Sequence, residues 1–308
     1  MKILVIGASG HIGSYLIPEL LKDGHEVVAV MRGGRVPYGW NDEIFEKISV
    51  IKTDRATFIE EEMLAEVNPD VICDLIAYEL ESVKKITSQI KNDAFYLQIG
   101  SIWTYENKIY VPVDENHPKN SIGNYGKNKG IIEDYLLAEA KAGRLRACVV
   151  HPGHISGKEW QPINPQGNVD ISVFHKLKSG EEIVLPFMGL TTVHHIHSFD
   201  LAQIIYGCIK NQDVANGEAF IAVAEQAMTL KAICENLYEY FGQKPNLRFV
   251  EWQEFCDVVG EENAADSYDH MFHSPCCTVQ KAEKLLGVKI KYSIMDIFRE
   301  YIEFQGLN

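Results

Sequence analysis

The chain has 308 residues, 46% of them hydrophobic, and its 29 basic and 43 acidic side chains leave a formal charge of −14. At roughly 150 residues per domain, that length predicts two units, or one large α/β unit with an appended lobe. The charge argues against a duplex nucleic-acid binder and a polybasic membrane reader, since both need concentrated Lys and Arg.

The chain opens Met1-Lys2-Ile3-Leu4-Val5-Ile6-Gly7, an apolar run too short for a signal-peptide core and without a small-residue cleavage site. No uninterrupted apolar stretch reaches the roughly 18 residues that a bilayer span needs, so no membrane partner is expected. Seven cysteines (73, 148, 208, 234, 256, 276, 277) are scattered, with no C-x-x-C pair. That usage predicts reduced thiols and a cytoplasmic protein.

Residues 3–6 read as a buried strand, and Ile12, Tyr15, Leu16 and Leu20 follow at helical spacing over 12–22. Further strands are expected at 27–30, 49–51, 71–73, 95–99 and 147–150, with helical segments between them, notably 131–142. Continuous apolar strands separated by helices predict a parallel sheet covered on both faces, a doubly wound α/β domain. Past residue 157 the rhythm breaks: Gly157, Pro162, Pro165 and Gly167 read as an irregular loop. Beyond it, helices are expected at 171–178, 201–210 and 230–241, strands at 183–185, 220–223 and 247–250, and then two terminal helices. A smaller mixed C-terminal lobe is the economical reading.

Gly7-Ala8-Ser9-Gly10-His11-Ile12-Gly13 follows the first strand directly and opens the first helix. Glycines at that spacing allow a tight turn, close approach of backbone to a pyrophosphate, and close helix–strand contact. The phosphate would sit on the helix N-terminus, where unpaired N–H groups and the dipole favour an anion. Gly7, Ser9, Gly10, His11, Ile12 and Gly13 are therefore predicted to bind a dinucleotide.

The G-x-x-G-x-x-G spacing resembles that of the short-chain dehydrogenase/reductase superfamily, in particular its extended, epimerase/dehydratase-like branch. The slot for an acid reaching the adenosine ribose falls at Met31 and is followed by Arg32. Met cannot accept the 2′-hydroxyl hydrogen bond, whereas Arg32, helped by Arg35, could pair with a 2′-phosphate. NADP(H) is therefore favoured, with NAD(H) as the alternative. The resemblance implies that Asp54 takes the adenine amino group.

Tyr125-Gly126-Lys127-Asn128-Lys129 has the Y-x-x-x-K spacing, which puts Tyr125 and Lys129 on one helix face. An ammonium beside a phenol, with a nicotinamide cation nearby, is expected to lower the Tyr pKa from about 10 and prepare it for proton exchange. Ser101, in Gly100-Ser101-Ile102-Trp103-Thr104-Tyr105, is similar to the Ser of the family triad and would hold the substrate oxygen. Asp74-Leu75-Ile76-Ala77 resembles the family's H-L-A-A turn beneath the cofactor riboses, with Asp74 in place of His. His151-Pro152-Gly153-His154-Ile155-Ser156-Gly157 is similar to its R-P-x-x-x-x-G segment along the nicotinamide, with His151 in place of Arg. Leu75, Ile76, Ala77 and Pro152 join the expected cofactor contacts on that basis.

His195-x-His197 and His270-x-x-His273 have plausible ligand spacings, but packed histidines are the better reading, and no metal is expected. The resemblance implies a Rossmann domain over 1–157 plus 190–212, and a substrate lobe over 158–189 plus 213–308. It also implies a homodimer and a small, sugar-like substrate without nucleic acid. The expected activity is NAD(P)(H)-dependent hydride transfer at a secondary alcohol or carbonyl, leaning to NADPH-dependent reduction. A sugar-nucleotide epimerase or dehydratase stands as one alternative, and a non-catalytic NADP-binding sensor or scaffold as another.

Overall fold

The computed structural model of the chain describes residues 1–33, 37, 39–105 and 109–308. Strand β1 (Lys2–Ile6) lies inside a seven-stranded sheet. On one side it pairs with β2 (Glu26–Met31), which pairs with β3 (Ile48–Lys52). On the other side follow β4 (Val71–Asp74), β5 (Phe95–Ile99), β6 (Arg146–Pro152) and an edge strand, Ala219–Ala222. Every pairing is parallel. The doubly wound α/β fold is thus present, with its order reversing between β1 and β4, where such sheets open a crevice at their carboxyl ends.

The connections are α1 (His11–Lys22), α2 (Asp42–Lys47), α3 (Arg55–Glu60), α4 (Leu64–Val67), α5 (Leu80–Ser88) and α6 (Asn124–Lys141). Strand residues Leu4, Ile72, Tyr96 and Val149 join Phe58, Val83, Ile86, Ile132 and Leu136 of these helices in one core. The strands read as unbroken apolar runs because both faces are covered: all of Ile3 to Ile6 is fully buried. The helix Ser198–Lys210 packs on α1, with Tyr15 and Phe199 edge to face at 6.1 Å. It begins at Ser198, three residues before the expected start at 201.

The chain divides into two compact units, Met1–Pro152 with Ser198–Ala222 and Val279–Lys289, and Gly153–His197 with Val223–Thr278 and Ile290–Asn308. These limits differ from the expected 157, 190 and 212, and part of the tail returns to the first unit. The reason is the seventh strand: Ala219–Ala222 continues the sheet beside β6, and helix Gln280–Leu286 packs against it. Lys281 Nζ donates to the Ala219 carbonyl at 2.7 Å.

The second unit is built on two short parallel strand pairs and one antiparallel pair. Its core gathers Phe174, Leu177, Ile183, Leu230, Ile233, Leu237, Phe298 and Ile302. Where two terminal helices were expected, four form: Trp252–Val259, Glu261–His273, Gln280–Leu286 and Ile294–Phe304. Backbone with positive φ at Gly260 (85°), Ser274 (33°) and Gly287 (68°) interrupts what would otherwise be longer helices.

Candidate active site

The first half of the site is made of backbone. Gly7 turns the chain at φ +85°, and the amides of Gly7 and Ala8 both donate to the Val30 carbonyl, at 3.1 and 3.3 Å. Helix α1 then starts without a side-chain cap at Gly10 and without an acidic residue in its first turn. A Cβ on Gly13 would lie 1.9 Å from the Ala8 carbonyl oxygen, so only glycine lets the helix press onto the turn. A cleft of about 380 Å³ opens over this loop, lined by Gly7, Ser9, Gly10, Met31, Arg32, Asp54, Arg55 and Ile76 among others. Uncapped amides at a helix N-terminus and a glycine floor fit the pyrophosphate of a dinucleotide.

Not every expected contact lines that cleft. Ile12, Gly13, Leu75 and Ala77 are buried beneath it, and the His11 ring contacts Ser198 Oγ at 3.0 Å. Pro152 is buried at the end of β6, outside the cleft lining. Asp54 is the N-cap of α3, accepting from the Thr57 amide at 2.9 Å and the Thr57 hydroxyl at 3.2 Å. These bonds, led by the Thr57 amide, hold its carboxyl below the usual range, and the Arg32 charge adds to them. Arg35 lies outside the described residues.

The second half is made of side chains. Ser101 follows β5 and caps a 3-10 turn, Ile102–Thr104, its Oγ accepting from the Trp103 amide at 3.2 Å. Tyr125 stands in the first turn of α6, close enough to Ser101 for the serine hydroxyl to pull its pKa down. The residue that makes this meeting possible is Gly126. A Cβ there would lie 2.3 Å from the Trp103 carbonyl oxygen, driving the helix away from the turn. Sequence reasoning passed over Gly126 as a filler of Y-x-x-x-K, although a glycine inside a helix is the signal of such a contact.

Lys129 is nearly fully buried, one turn beyond Tyr125. Its Nζ donates to the carbonyls of Ala77 at 2.7 Å and Ile99 at 2.8 Å, and lies 4.5 Å from the ring centroid of Tyr78. Burial pulls its pKa down to about 8. The expected lowering of the Tyr125 pKa by Lys129 is corrected here: the phenol is pushed up to about 12. Packing around the phenol is the main cause, although the residue as a whole is 44% exposed, and Tyr78 adds to it against a smaller opposing effect of the Ser101 hydroxyl. The ammonium is committed to two carbonyls, with Nζ 5.7 Å from the Tyr125 ring centroid. Trp103 packs edge-on to Tyr125 at 5.9 Å.

His151 braces Ser101 from below. Its Nδ1 lies 3.0 Å from the Ser101 amide nitrogen, and its Nε2 lies 3.0 Å from Glu133 Oε2. Glu133 is also 3.0 Å from Lys119 Nζ. Although burial alone would raise the Glu133 carboxyl, the opposing charges of His151 and Lys119 win and hold it down. The remaining histidines serve packing. His195 lies against His154 and Phe298, while His197 pairs with Glu300 and stacks on Tyr292 at 3.9 Å. Among the described residues, no three His, Cys, Asp or Glu side chains are grouped as a metal site requires, and no helix is long and apolar enough to cross a membrane.

The reversal in strand order, the glycine turn and the Ser101–Tyr125 contact are the plan of an enzyme of the extended short-chain dehydrogenase/reductase type. Within that class, the chain belongs to the NAD dependent epimerase/dehydratase family, whose model matches residues 3–96 and 80–222. It is 26% identical over 307 residues to a chloroplast stem-loop binding protein of 41 kDa from Arabidopsis thaliana, covering 96% of this chain and 76% of that one. It is 28% identical over 176 residues to the UDP-glucose 4-epimerase of Lactobacillus helveticus, covering 51% of this chain and only 52% of that enzyme. The fold is similar to that of the UDP-glucuronic acid 4-epimerase from Bacillus cereus, solved with UDP-glucuronic acid and NAD. There the TM-score is 0.72, at 18% identity over the full length of both chains.

Proposed function

We propose that this enzyme is an NAD-dependent epimerase or dehydratase of a sugar nucleotide. The observation that carries the reading is the close approach of α6 to the Ser101 turn at Gly126, which sets Tyr125 against Trp103 one helical turn from the buried Lys129. Tyr125 Oη is the acid/base: it takes the proton of a substrate hydroxyl and later returns it. Ser101 Oγ holds the substrate oxygen against Tyr125, and the α1 amides, with Gly7, Ser9 and Gly10, hold the pyrophosphate. Bound NAD supplies the hydride acceptor and a positive ring charge that draws the raised Tyr125 pKa back down. The chloroplast relative's name concerns a stem-loop; the −14 charge and the intact Ser101, Tyr125 and Lys129 support catalysis without nucleic acid instead.

A second reading, reduction of a carbonyl by NADPH, rests on Met31 and Arg32 at the rim of the cleft. It also draws on the scarcity of arginines for a diphosphate: Arg248 and Arg299 are the only ones past residue 146. Arg248 is paired with Glu182 and Glu254, and Arg299 with Asp296. Calorimetric titration with NAD and NADP, followed by turnover of UDP- and dTDP-hexoses, separates the two. Tighter NAD binding with conversion of a nucleotide sugar supports the first reading. Tighter NADPH binding with net oxidation of NADPH replaces it by the second.

A further inference from the structure

A buried charge pair sits where the family resemblance offered only a departure. Asp74, the last residue of β4, is fully buried and receives three contacts from the Arg55 guanidinium: Nε to Oδ1 at 3.0 Å, and Nε and Nη2 to Oδ2 at 2.9 and 2.7 Å. Arg55 Nη1 donates to Ser82 Oγ at 2.8 Å, so the guanidinium is held from both sides. The same Oδ2 also accepts from the Tyr96 hydroxyl at 2.6 Å, and that hydroxyl lies 3.3 Å from Gln98 Oε1, to which it donates more weakly. Gln98 Nε2 then donates to the carbonyls of Ala77 at 3.2 Å and Ile99 at 3.0 Å. Those are the same two carbonyls that accept from Lys129 Nζ.

We propose that Asp74, clamped by Arg55, is a positioning residue for Lys129: through Tyr96 and Gln98 it fixes the two carbonyls on which the ammonium rests, and it supplies that ammonium's buried counter-charge. The inference rests on the reading of Lys129 as part of the active site. A buried ion pair adds little stability over apolar side chains of the same volume, because desolvating two ions offsets their attraction. Here the pair links the two halves of the site, since Arg55 lines the glycine-loop cleft while Asp74 reaches, through Tyr96 and Gln98, the carbonyls on which Lys129 rests. The charged and titratable groups around Lys129 are Asp74 from β4, Arg55 from α3, Tyr78 from the segment after β4, and Tyr125 from its own helix. Burial lowers the Lys129 pKa, Asp74 raises it more than Arg55 lowers it, and Tyr96 stays a neutral donor because burial and Asp74 push its pKa up.

The test is an NMR titration of the Lys129 ε-carbon in protein labelled with carbon-13 lysine, the resonance being assigned by its loss in Lys129→Met. The wild-type midpoint is expected near pH 8. Asp74→Asn removes the counter-charge, and the midpoint falls by roughly half a unit or more, since an adjacent opposite charge favours the charged form. Asp74→Asn leaves Arg55 unpaired and can fail to fold, so Arg55→Met/Asp74→Asn, which removes both charges, is titrated alongside. The midpoint falls there too, because Asp74 is the larger of the two influences. A midpoint unchanged in either folded variant overturns the proposal. Loss of turnover on Tyr125→Phe tests the active-site reading separately, and the lysine titration needs neither cofactor nor substrate.

Discussion

The two halves of the site are built from opposite materials. The glycine-loop half binds through what is missing: no Cβ at Gly13, no cap at Gly10, no acid in the first turn of α1. The catalytic half sets a half-exposed Tyr125 over what is buried: Lys129, Glu133, His151 and Asp74, with Arg55 nearly so. A half made of backbone responds to added volume and is indifferent to pH. A half made of titratable groups in a low-dielectric setting responds to both charge and pH.

Substitutions can separate these behaviours. The largest effect is expected from Tyr125→Phe, which removes the proposed acid/base without disturbing the cleft. Turnover should fall by about 10²- to 10⁴-fold while the dinucleotide dissociation constant stays within a few-fold, as steady-state kinetics and calorimetry would show. Gly13→Ala should behave the other way. The methyl collides with the Ala8 carbonyl, so stability should drop by roughly 1–3 kcal/mol in urea unfolding and dinucleotide binding should weaken with it. Gly126→Ala belongs with the catalytic half although it too is a volume change. Pushing α6 from the Trp103 carbonyl should lower kcat by roughly tenfold or more, with dinucleotide affinity largely kept.

The pH dependence should be equally uneven. Lys129 is a cation below its folded pKa of about 8 and loses its charge above it. The kcat/KM profile, which reports groups of the free enzyme, should therefore decline as pH rises through 8, and Lys129→Arg should abolish that limb. Binding of ADP-ribose, which engages the glycine loop without the nicotinamide, should stay flat over the same range. The smallest effect belongs to Arg32→Ala. Arg32 is exposed at the cleft rim, so NADP affinity should fall by no more than about tenfold and NAD affinity should hardly move.

Much of the first unit could be read from sequence, because a sheet covered on both faces writes itself as unbroken apolar runs and a glycine turn at a strand end has one purpose. The tail was harder. Its helices end at single backbone positions such as Gly260 and Ser274, and the return of 279–289 to the first unit depends on a strand partner that no local pattern announces. Within the candidate site, Tyr125 and Lys129 stood out by spacing and Ser101 by resemblance, whereas nothing in the sequence singled out Arg55. Only the fold brings it to Asp74, nineteen residues later, and turns an apparent departure from the family's His into a satisfied ion pair.

In the proposed reaction Tyr125 serves hydride transfer to NAD from a nucleotide sugar. Mixing the NAD-loaded protein with UDP- and dTDP-hexoses, and following reduced-nicotinamide absorbance together with the sugar products by NMR, tests it most directly. The account predicts a new epimer or a keto-deoxy product from at least one of them, with no net NADH left after turnover, and neither product nor transient in Tyr125→Phe. Product formed equally well by Tyr125→Phe would contradict it.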